Sequence, residues 1–432
     1  MLISGRAKDL DVGSHDYIRM VQPFFQKWAS DYGKTFLYWL GPIPSLCCSD
    51  MELVKQVLTE RTDLFEKEYL NRSLDAILGN GVIFANGDDW RRRRKFVHPA
   101  FSQEKIKSMA AITSECTKKM MEGWCSEMQD GSSQQAEIDM TKESDEISMG
   151  VIARVMLGKN YKEAWEVCVA GKEQLRLATY AFNDPPIPGF RHDYLPTRRN
   201  RRTWQLNKLV TSKISKIIQA RVADGVYEED DLLGLMLEAR QAGAESLTAE
   251  EMIGECKTFF AAGFDTTATL LNWAMFLLAS YPRWQEMLNM LLLETLRLYS
   301  PISFLHRRAS CDTVLGNIKV PKGTMVTIPL PILHRDKEVW GQDADEFNPL
   351  RFENGLSKAS THRHALLAFS YGPRICAGQN FAMVEVHTMI AMIVKRFSFS
   401  LSPRYVHKPS NFVTLTPRYG LPLILRNLQL DG

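Results

Sequence analysis

Apolar residues recur at helical spacing through most of the first 280 positions. The segments 17–32, 51–59, 103–128, 139–157, 163–181 and 200–224 each carry an apolar face, with turn-forming residues between them. The stretch KTFLYWLG at 34–41 breaks the pattern, being rich in strand formers. The strongest element starts at Thr248, where Thr-Ala-Glu-Glu251 is a capping box and no proline follows until Pro282. A helix from there to Ser280 would be roughly 50 Å long. It is apolar over much of its circumference beyond Phe259, so it must run through a core, where it can line an internal site. After Pro301 the pattern turns to short β-like runs at 313–320 and 324–330, separated by the Pro-Lys-Gly turn of 321–323. A further helix is predicted from Gln379 to Arg396, and 412–425 reads as a hairpin closed by Gly420. There is no internal repeat, and the Pro/Gly clusters at 183–189 and 417–422 are too short to separate domains. Residues 1–432 therefore read as one mainly α domain with small β-sheets.

Composition changes this picture little, with 45% hydrophobic and 24% charged residues. A net charge of +3 is too small to imply a nucleic-acid partner, although RRRRK at 91–95 and RRNRR at 198–202 need their own explanation. The cysteines at 47, 48, 116, 125, 168, 256, 311 and 376 show no zinc-type spacing, which favours a reducing compartment. The sequon Asn71-Arg72-Ser73 carries little weight in that setting. No run of about 18 apolar residues occurs, and the start MLISGRAKDLDVG lacks the apolar core of a signal peptide. The chain is expected to have no anchor helix of its own.

Chemistry concentrates in FSYGPRICAG at 369–378, which sets a cysteine between glycines just before a helix. Gly372 can take angles closed to other residues, and Gly378 offers no side chain to obstruct a flat ligand. Backbone N–H groups and the helix dipole would stabilise a thiolate at Cys376, and Arg374 can reach a cofactor carboxylate. An isolated cysteine is usually a buried, inert thiol; it is the surrounding pattern that reverses those odds. FSYGPRICAG matches, position by position, the haem-binding signature Phe-x-x-Gly-x-Arg-x-Cys-x-Gly of the cytochrome P450 family, which the chain resembles.

Three further motifs test the resemblance. AGFDTT at 262–267 is similar to the family's oxygen-activation motif; Ala262 and Gly263 leave room beside the helix, and Gly followed by Thr would open a groove. On its own this segment reads as a kink with a back-bonded threonine. Glu294-Thr-Leu-Arg297 resembles the Glu-x-x-Arg motif: both side chains share a face of a leucine-rich helix, so the pair must be mutually satisfied. FNPLRF at 347–352, similar to the family's Phe-x-Pro-x-Arg-Phe, offers Arg351 as the third member. WRRRR at 90–94 resembles Trp-x-x-x-Arg, with Arg91, Arg92 and Arg93 expected to be solvated or to form a basic face. Read alone, the run could be a nuclear signal.

The resemblance implies a cytochrome P450 fold with the long central helix over haem b, and Cys376 as the iron ligand. It implies cofactor contacts from Phe369, Gly372, Arg374, Gly378, Ala262, Trp90, Arg94 and Arg307, with Arg308 able to substitute for its neighbour. Asp265 and Thr266 would deliver protons. The pocket would be lined by Leu74, Ile77, Phe260, Phe264, Ile302, Phe304, Leu305, Leu415 and Thr416, mostly apolar, which suits a lipophilic terpenoid, fatty acid or hormone-like substrate. Electrons would come from NADPH through NADPH-cytochrome P450 reductase, at the cytosolic face of the endoplasmic reticulum, to a monomeric enzyme most like plant members of the 72 clan.

One departure bears on function. Family members carry a further helix and loop before the Glu-x-x-Arg helix, whereas RWQEMLNMLLLETLRLY at 283–299 has no breaker and predicts one continuous helix. The alternative reading is a haem-binding member left inactive or non-oxygenating by that shortening. A non-catalytic basic interaction protein, built on 91–95 and 198–202, is the rival from another class.

Overall fold

Proline and a single capping aspartate set the start of the fold. The apolar stretch 17–32 is two helices, α1 (Ile18–Val21) and α2 (Pro23–Tyr32), because Gln22 leaves helical angles ahead of Pro23. After β1 (Thr35–Leu40) and β2 (Ile43–Cys48), the Asp50 carboxylate accepts from the N–H groups of Glu52 and Leu53 and starts α3 (Met51–Lys55), which widens into a π-helical turn over 56–60. The computed structural model describes residues 10–68, 74–130, 135–181, 194–225, 231–241, 247–411 and 413–428. The Asn71 sequon and the 183–189 cluster lie outside them.

Next come β3 (Phe65–Glu66), α4 (Asp75–Leu78), α5 (Gly87–Val97) with the arginine run, α6 (Gln103–Asp130), β4 (Gln135–Asp139), α7 (Met140–Leu157), α8 (Tyr161–Ala181), α9 (Arg198–Ala223) and α10 (Leu232–Gln241). The Thr248 capping box forms as predicted: Oγ1 accepts from Glu251 N–H at 3.2 Å, and the Glu251 carboxylate accepts from Thr248 N–H at 2.7 Å. It opens α11 (Ala249–Ser280), which is buried without interruption from Thr267 to Leu278. α7, α8 and α9 pack against it from one side and α4 from another. The main core surrounds this helix.

Then follow α12 (Leu288–Leu298), β5 (Phe304–Ala309), the β6 (Thr313–Leu315) and β7 (Ile318–Val320) hairpin, β8 (Met325–Pro329), α13 (Leu330–Leu333), α14 (Lys337–Trp340), α15 (Gln379–Arg396), β9 (Phe397–Leu401), β10 (Pro409–Asn411), β11 (Leu415–Pro417) and β12 (Pro422–Asn427). One sheet has the order β1-β2-β8-β5-β3, with β2 and β8 parallel. A second core lies under this sheet and extends to the segment before the cysteine loop.

Two expectations are corrected. Residues 283–299 are not one helix: a 3₁₀ turn over Pro282–Trp284 and a short turn precede α12, and Met287 is non-helical. No residue in the sequence forces that break; packing does. Trp284 turns into the core beside Phe347, while α12 reorients so that Glu294 and Arg297 face inward. Nor is 412–425 a hairpin. The turn at Gly420 exists, but β11 pairs with β10, whereas β12 leaves to pair with β4 and β9. Gly420 has φ +81°, and a Cβ there would lie 2.9 Å from the Asp139 carboxylate, so the turn is packed against β4 rather than closing its own strands.

Candidate active site

The cysteine loop is held by backbone constraints before any side chain is considered. Gly372 sits at φ +77°, and a Cβ on it would lie 2.3 Å from the Leu58 carbonyl, so no other residue fits there. Ser370 takes φ +62°, the one positive-φ non-glycine among the described residues. The Cys376 N–H donates to the Phe369 carbonyl at 2.9 Å, closing the loop. At Gly378 an added Cβ would meet protein only in an ordinary 3.7 Å contact with Phe101.

Cys376 is exposed to a water-sized probe. Yet burial is the main influence on its thiol, raising it from the usual value against the opposing N–H groups of Gly378 and Gln379. Exposure amid enclosing protein means that the sulfur faces an internal space. The expected anion stabilisation by backbone N–H groups is present, but desolvation outweighs it.

Around that space the structure gathers positive charge. Burial and then its Arg374 neighbour pull Arg307 down to about 10, and burial pulls Arg374 down to about 10 as well. Lys67 is driven to about 7, first by burial, then by Arg307 and Arg374, with Arg94 adding to the effect and Cys376 opposing it. Arg94 is lowered by burial and favoured by the Cys376 sulfur. Along β5, period-two alternation turns Arg307 inward, where its Nη2 is buried without a hydrogen-bond partner. Arg308 turns outward to Glu68 and the Gly323 carbonyl, which decides between the two arginines. Arg374 donates to the Ala85 carbonyl (2.6 Å) and Asn86 Oδ1 (3.0 Å), and stacks on Trp90 with its guanidinium carbon 4.3 Å from the ring centre.

Lys67 and Asn86 were missed by sequence reasoning. Asn86 both accepts from the Lys67 N–H and donates to its carbonyl, linking that segment to Arg374. No periodicity marks either residue; only the fold brings them to the cluster. The expectation for Arg91–Arg93 is corrected too. Arg93 is buried and donates to Asp89, Asn80, Glu251 and Glu255, and Arg92 reaches Glu251 and Asp89, so both fasten α5 to the start of α11. Two acids on α11, one helical turn apart, make those arginines structural, and only Arg91 remains exposed.

On α11, Thr266 Oγ1 donates to the Ala262 carbonyl at 2.7 Å. The helix runs unbroken through 262–267, so the back-bonded threonine is present and the predicted helical opening is not. Asp265 accepts from the Thr414 hydroxyl at 2.9 Å, and Thr414 in turn accepts from Thr269 at 3.2 Å. Burial pushes the Asp265 carboxyl up to about 6, with the Thr414 bond opposing that rise and nearby Asp145 reinforcing it.

Glu294 and Arg297 are wholly buried and pair bidentately through two 2.7 Å bonds. Arg297 also donates to the carbonyls of His334, Ala344 and Glu346. Arg351 lies 3.8 Å from Glu294 but spends its hydrogen bonds on Asp343 and the Trp340 carbonyl. His334 links this unit to the cysteine loop, contacting the Arg297 carbonyl through Nδ1 and accepting from Leu367 N–H through Nε2. The short connection before α12 therefore leaves the pair fully settled. Of the expected pocket residues, Ile77, Phe260, Phe264 and Leu415 share the main core, with Leu74 packed on it. Phe304 instead packs on Phe25, its ring 5.0 Å away, and Leu305 joins the second core. Ile302 and Thr416 are half-buried.

A thiol beside enclosed cations could hold a metal cofactor that bears carboxylates, and Arg307 Nη2, buried without a hydrogen-bond partner, fits such a group. Comparison with known proteins agrees. The chain matches the Cytochrome P450 family over residues 12–289 and 286–423, the two matched segments meeting at the break before α12. It is 40% identical over 451 positions to cytochrome P450 709B1 of Arabidopsis thaliana, covering 97% of this chain and 86% of that one. It is 37% identical to cytochrome P450 CYP72A219 of Panax ginseng, covering 99% and 88% of the two chains. The retinoic acid-bound cyanobacterial CYP120A1 superposes with a TM-score of 0.81 at 22% identity, over 94% of this chain and 95% of that one. The chain belongs to the cytochrome P450 family, and it is an oxidoreductase of the monooxygenase type whose family cofactor is haem iron.

Two measurements follow from this geometry. Arg297→Ala leaves the Glu294 carboxylate buried without its partner and is expected to cost about 3–5 kcal/mol; urea unfolding that shows no loss would contradict the pairing. Asp265 binds its proton more tightly in the folded chain, about 6 against an ordinary 3.8, so its ionisation destabilises the fold as pH rises through that interval and remains a penalty above it. Asp265→Asn should therefore raise the melting temperature at about pH 7.5, and the gain should shrink to a small remainder at about pH 4, where the folded carboxyl is neutral.

Proposed function

We propose that this chain inserts one oxygen atom of O₂ into a lipophilic small molecule of terpenoid, fatty-acid or hormone-like character. The observation that carries this reading is a cysteine sulfur facing an internal space ringed by Arg94, Arg307, Arg374 and Lys67. Bound haem supplies the activation of O₂ and its reductive cleavage, which a thiolate ligand favours.

The chain's own residues do the rest. Cys376 gives up its proton to ligate iron, while Phe369, Gly372 and Gly378 shape the loop around it. Arg307 offers its unpaired Nη2 to a carboxylate, and Arg94 and Lys67 add charge beside it. Trp90, stacked on Arg374, holds that arginine in place. Ala262 leaves room beside α11. Asp265, with a carboxyl near 6, can hold and release a proton close to neutral pH. Thr266 presents a hydroxyl one residue further along, its hydrogen satisfied by the Ala262 carbonyl and its oxygen left able to accept.

Of the side chains expected to line the pocket, Leu74, Ile77, Phe260, Phe264, Ile302 and Leu415 are apolar and Thr416 is not, a mostly apolar set that favours a lipophilic substrate. Electrons would arrive from NADPH through NADPH-cytochrome P450 reductase, met by the exposed basic end of α5 at Arg91 and Lys95. Kinship with plant members supports a monomer working at the cytosolic face of the endoplasmic reticulum. Among the described residues, no helix is long and apolar enough to cross a membrane.

The reduced, carbon-monoxide-bound protein should show the strongly red-shifted Soret band of a thiolate ligand, and Cys376→Ala should abolish it; a colourless protein after haem supplementation would sink the reading. Thr266→Ala should keep the band but divert NADPH consumption into hydrogen peroxide. Unaltered coupling would remove Thr266 from proton delivery.

A further inference from the structure

Behind the candidate site lies an aromatic series that the proposed reaction does not use. Trp273 follows Thr266 by seven residues on the same face of α11, about 10 Å further along the axis. Its indole N–H donates to the Leu415 carbonyl at 2.7 Å, next to the Thr414 that binds Asp265. The indole stacks on Tyr299, with ring centres 4.3 Å apart and planes 17° from parallel. Tyr299 Oη lies 2.8 Å from His15 Nδ1, and His15 Nε2 lies 3.3 Å from Tyr281 Oη. Trp273 and Tyr299 are completely buried, whereas Tyr281 is half-buried and ends the series near solvent. Apolar packing alone would be served by phenylalanine; phenols joined through an imidazole bring polar groups into the core that must be kept satisfied.

Resting on the monooxygenase reading above, we propose that Trp273, Tyr299, His15 and Tyr281 form an electron and proton relay that drains a stranded oxidising equivalent from the pocket to the surface. The Trp273 indole would give up one electron to an oxidant generated in the pocket, and Tyr299 would refill it. As Tyr299 loses that electron, its phenolic proton passes to His15 Nδ1, leaving a neutral tyrosyl radical. Tyr281 then returns an electron to Tyr299, which recovers the proton from His15, and Tyr281 releases its own proton to solvent. An external one-electron reductant such as ascorbate, with a proton from water, restores Tyr281.

Burial first, then Arg335, His407 and Arg297, keep His15 neutral with a value of about 3, so Nδ1 has a lone pair free, holds the Tyr299 proton only while that phenol lacks its electron, and gives it back on re-reduction. Tyr17 also stacks on Tyr299, at 5.2 Å, but is a dead end. Its hydroxyl donates to the Leu298 carbonyl, which cannot take a proton, whereas Tyr299 faces an imidazole nitrogen that can.

The test treats the haem-loaded, substrate-free chain with a peracid, freezes it within milliseconds and records its electron paramagnetic resonance spectrum. A tyrosyl signal that narrows when the tyrosines are ring-deuterated is expected. Tyr299→Phe, which keeps the stacked ring, should reduce it several-fold and speed haem bleaching. Tyr281→Phe should instead prolong the signal by stranding the radical on Tyr299. With the carbon-monoxide band intact, a signal unchanged in both variants, or none in the parent, would overturn the relay while leaving the proposed function standing. Loss of the band in the parent would instead overturn the function on which the relay rests.

Discussion

Like charges enclosed together around one void are the constraint that organises this molecule. Arg94, Arg307, Arg374 and Lys67 repel one another where protein limits the screening by water, and burial already weakens their hold on protons. Such a cluster is tolerable only if rigid neighbours hold it and an anion completes it. Much of the nearby structure serves the first need. Asn86 binds both the Lys67 backbone and Arg374, Trp90 lies under the same guanidinium, and β5 fixes which of two adjacent arginines faces in. On the proposed function, the carboxylates of a bound cofactor would meet the second need.

The sulfur is positioned by a separate chain of contacts that begins far away in sequence. Glu294 locks Arg297, Arg297 gathers three carbonyls from the loops that follow, and His334 passes that order to Leu367, shortly before the cysteine loop. Every link is a buried hydrogen bond between groups that would be costly to leave unpaired. The shortened segment before α12 therefore does not prevent this pairing. The motif is secured by what comes after it in the chain, not by the connection that precedes it.

The parts of this design visible in the sequence are those written in local rules. The Thr248 capping box and the proline-free run to Ser280 define α11 almost to the residue, and Gln379 to Arg396 is found as predicted, because cap chemistry and periodicity act over a few residues. The Phe-x-x-Gly-x-Arg-x-Cys-x-Gly spacing was legible because Gly372 has no substitute where it abuts Leu58. What stayed hidden depends on distant partners. Arg92 and Arg93 look like a solvated basic run until Glu251 and Glu255 arrive from α11, and the bend at Met287 has no local cause. Strand pairing was misjudged for the same reason: β12 pairs on one side with β4, from far earlier in the chain, and on the other with β9, and the turn at Gly420 could not reveal that. Lys67 and Asn86 acquire their importance only from the space they border.

Thr414 joins two roles that are usually considered apart. Its hydroxyl connects Asp265 and Thr269 on the central helix, while the next residue, Leu415, belongs to the wall that substrate is expected to touch. On the proposed function, a substitution that reshapes β11 to admit a different molecule would therefore shift the acid on α11 as well. Substrate range along this edge would then change together with catalytic efficiency, each new fit bringing its own leakage of electrons.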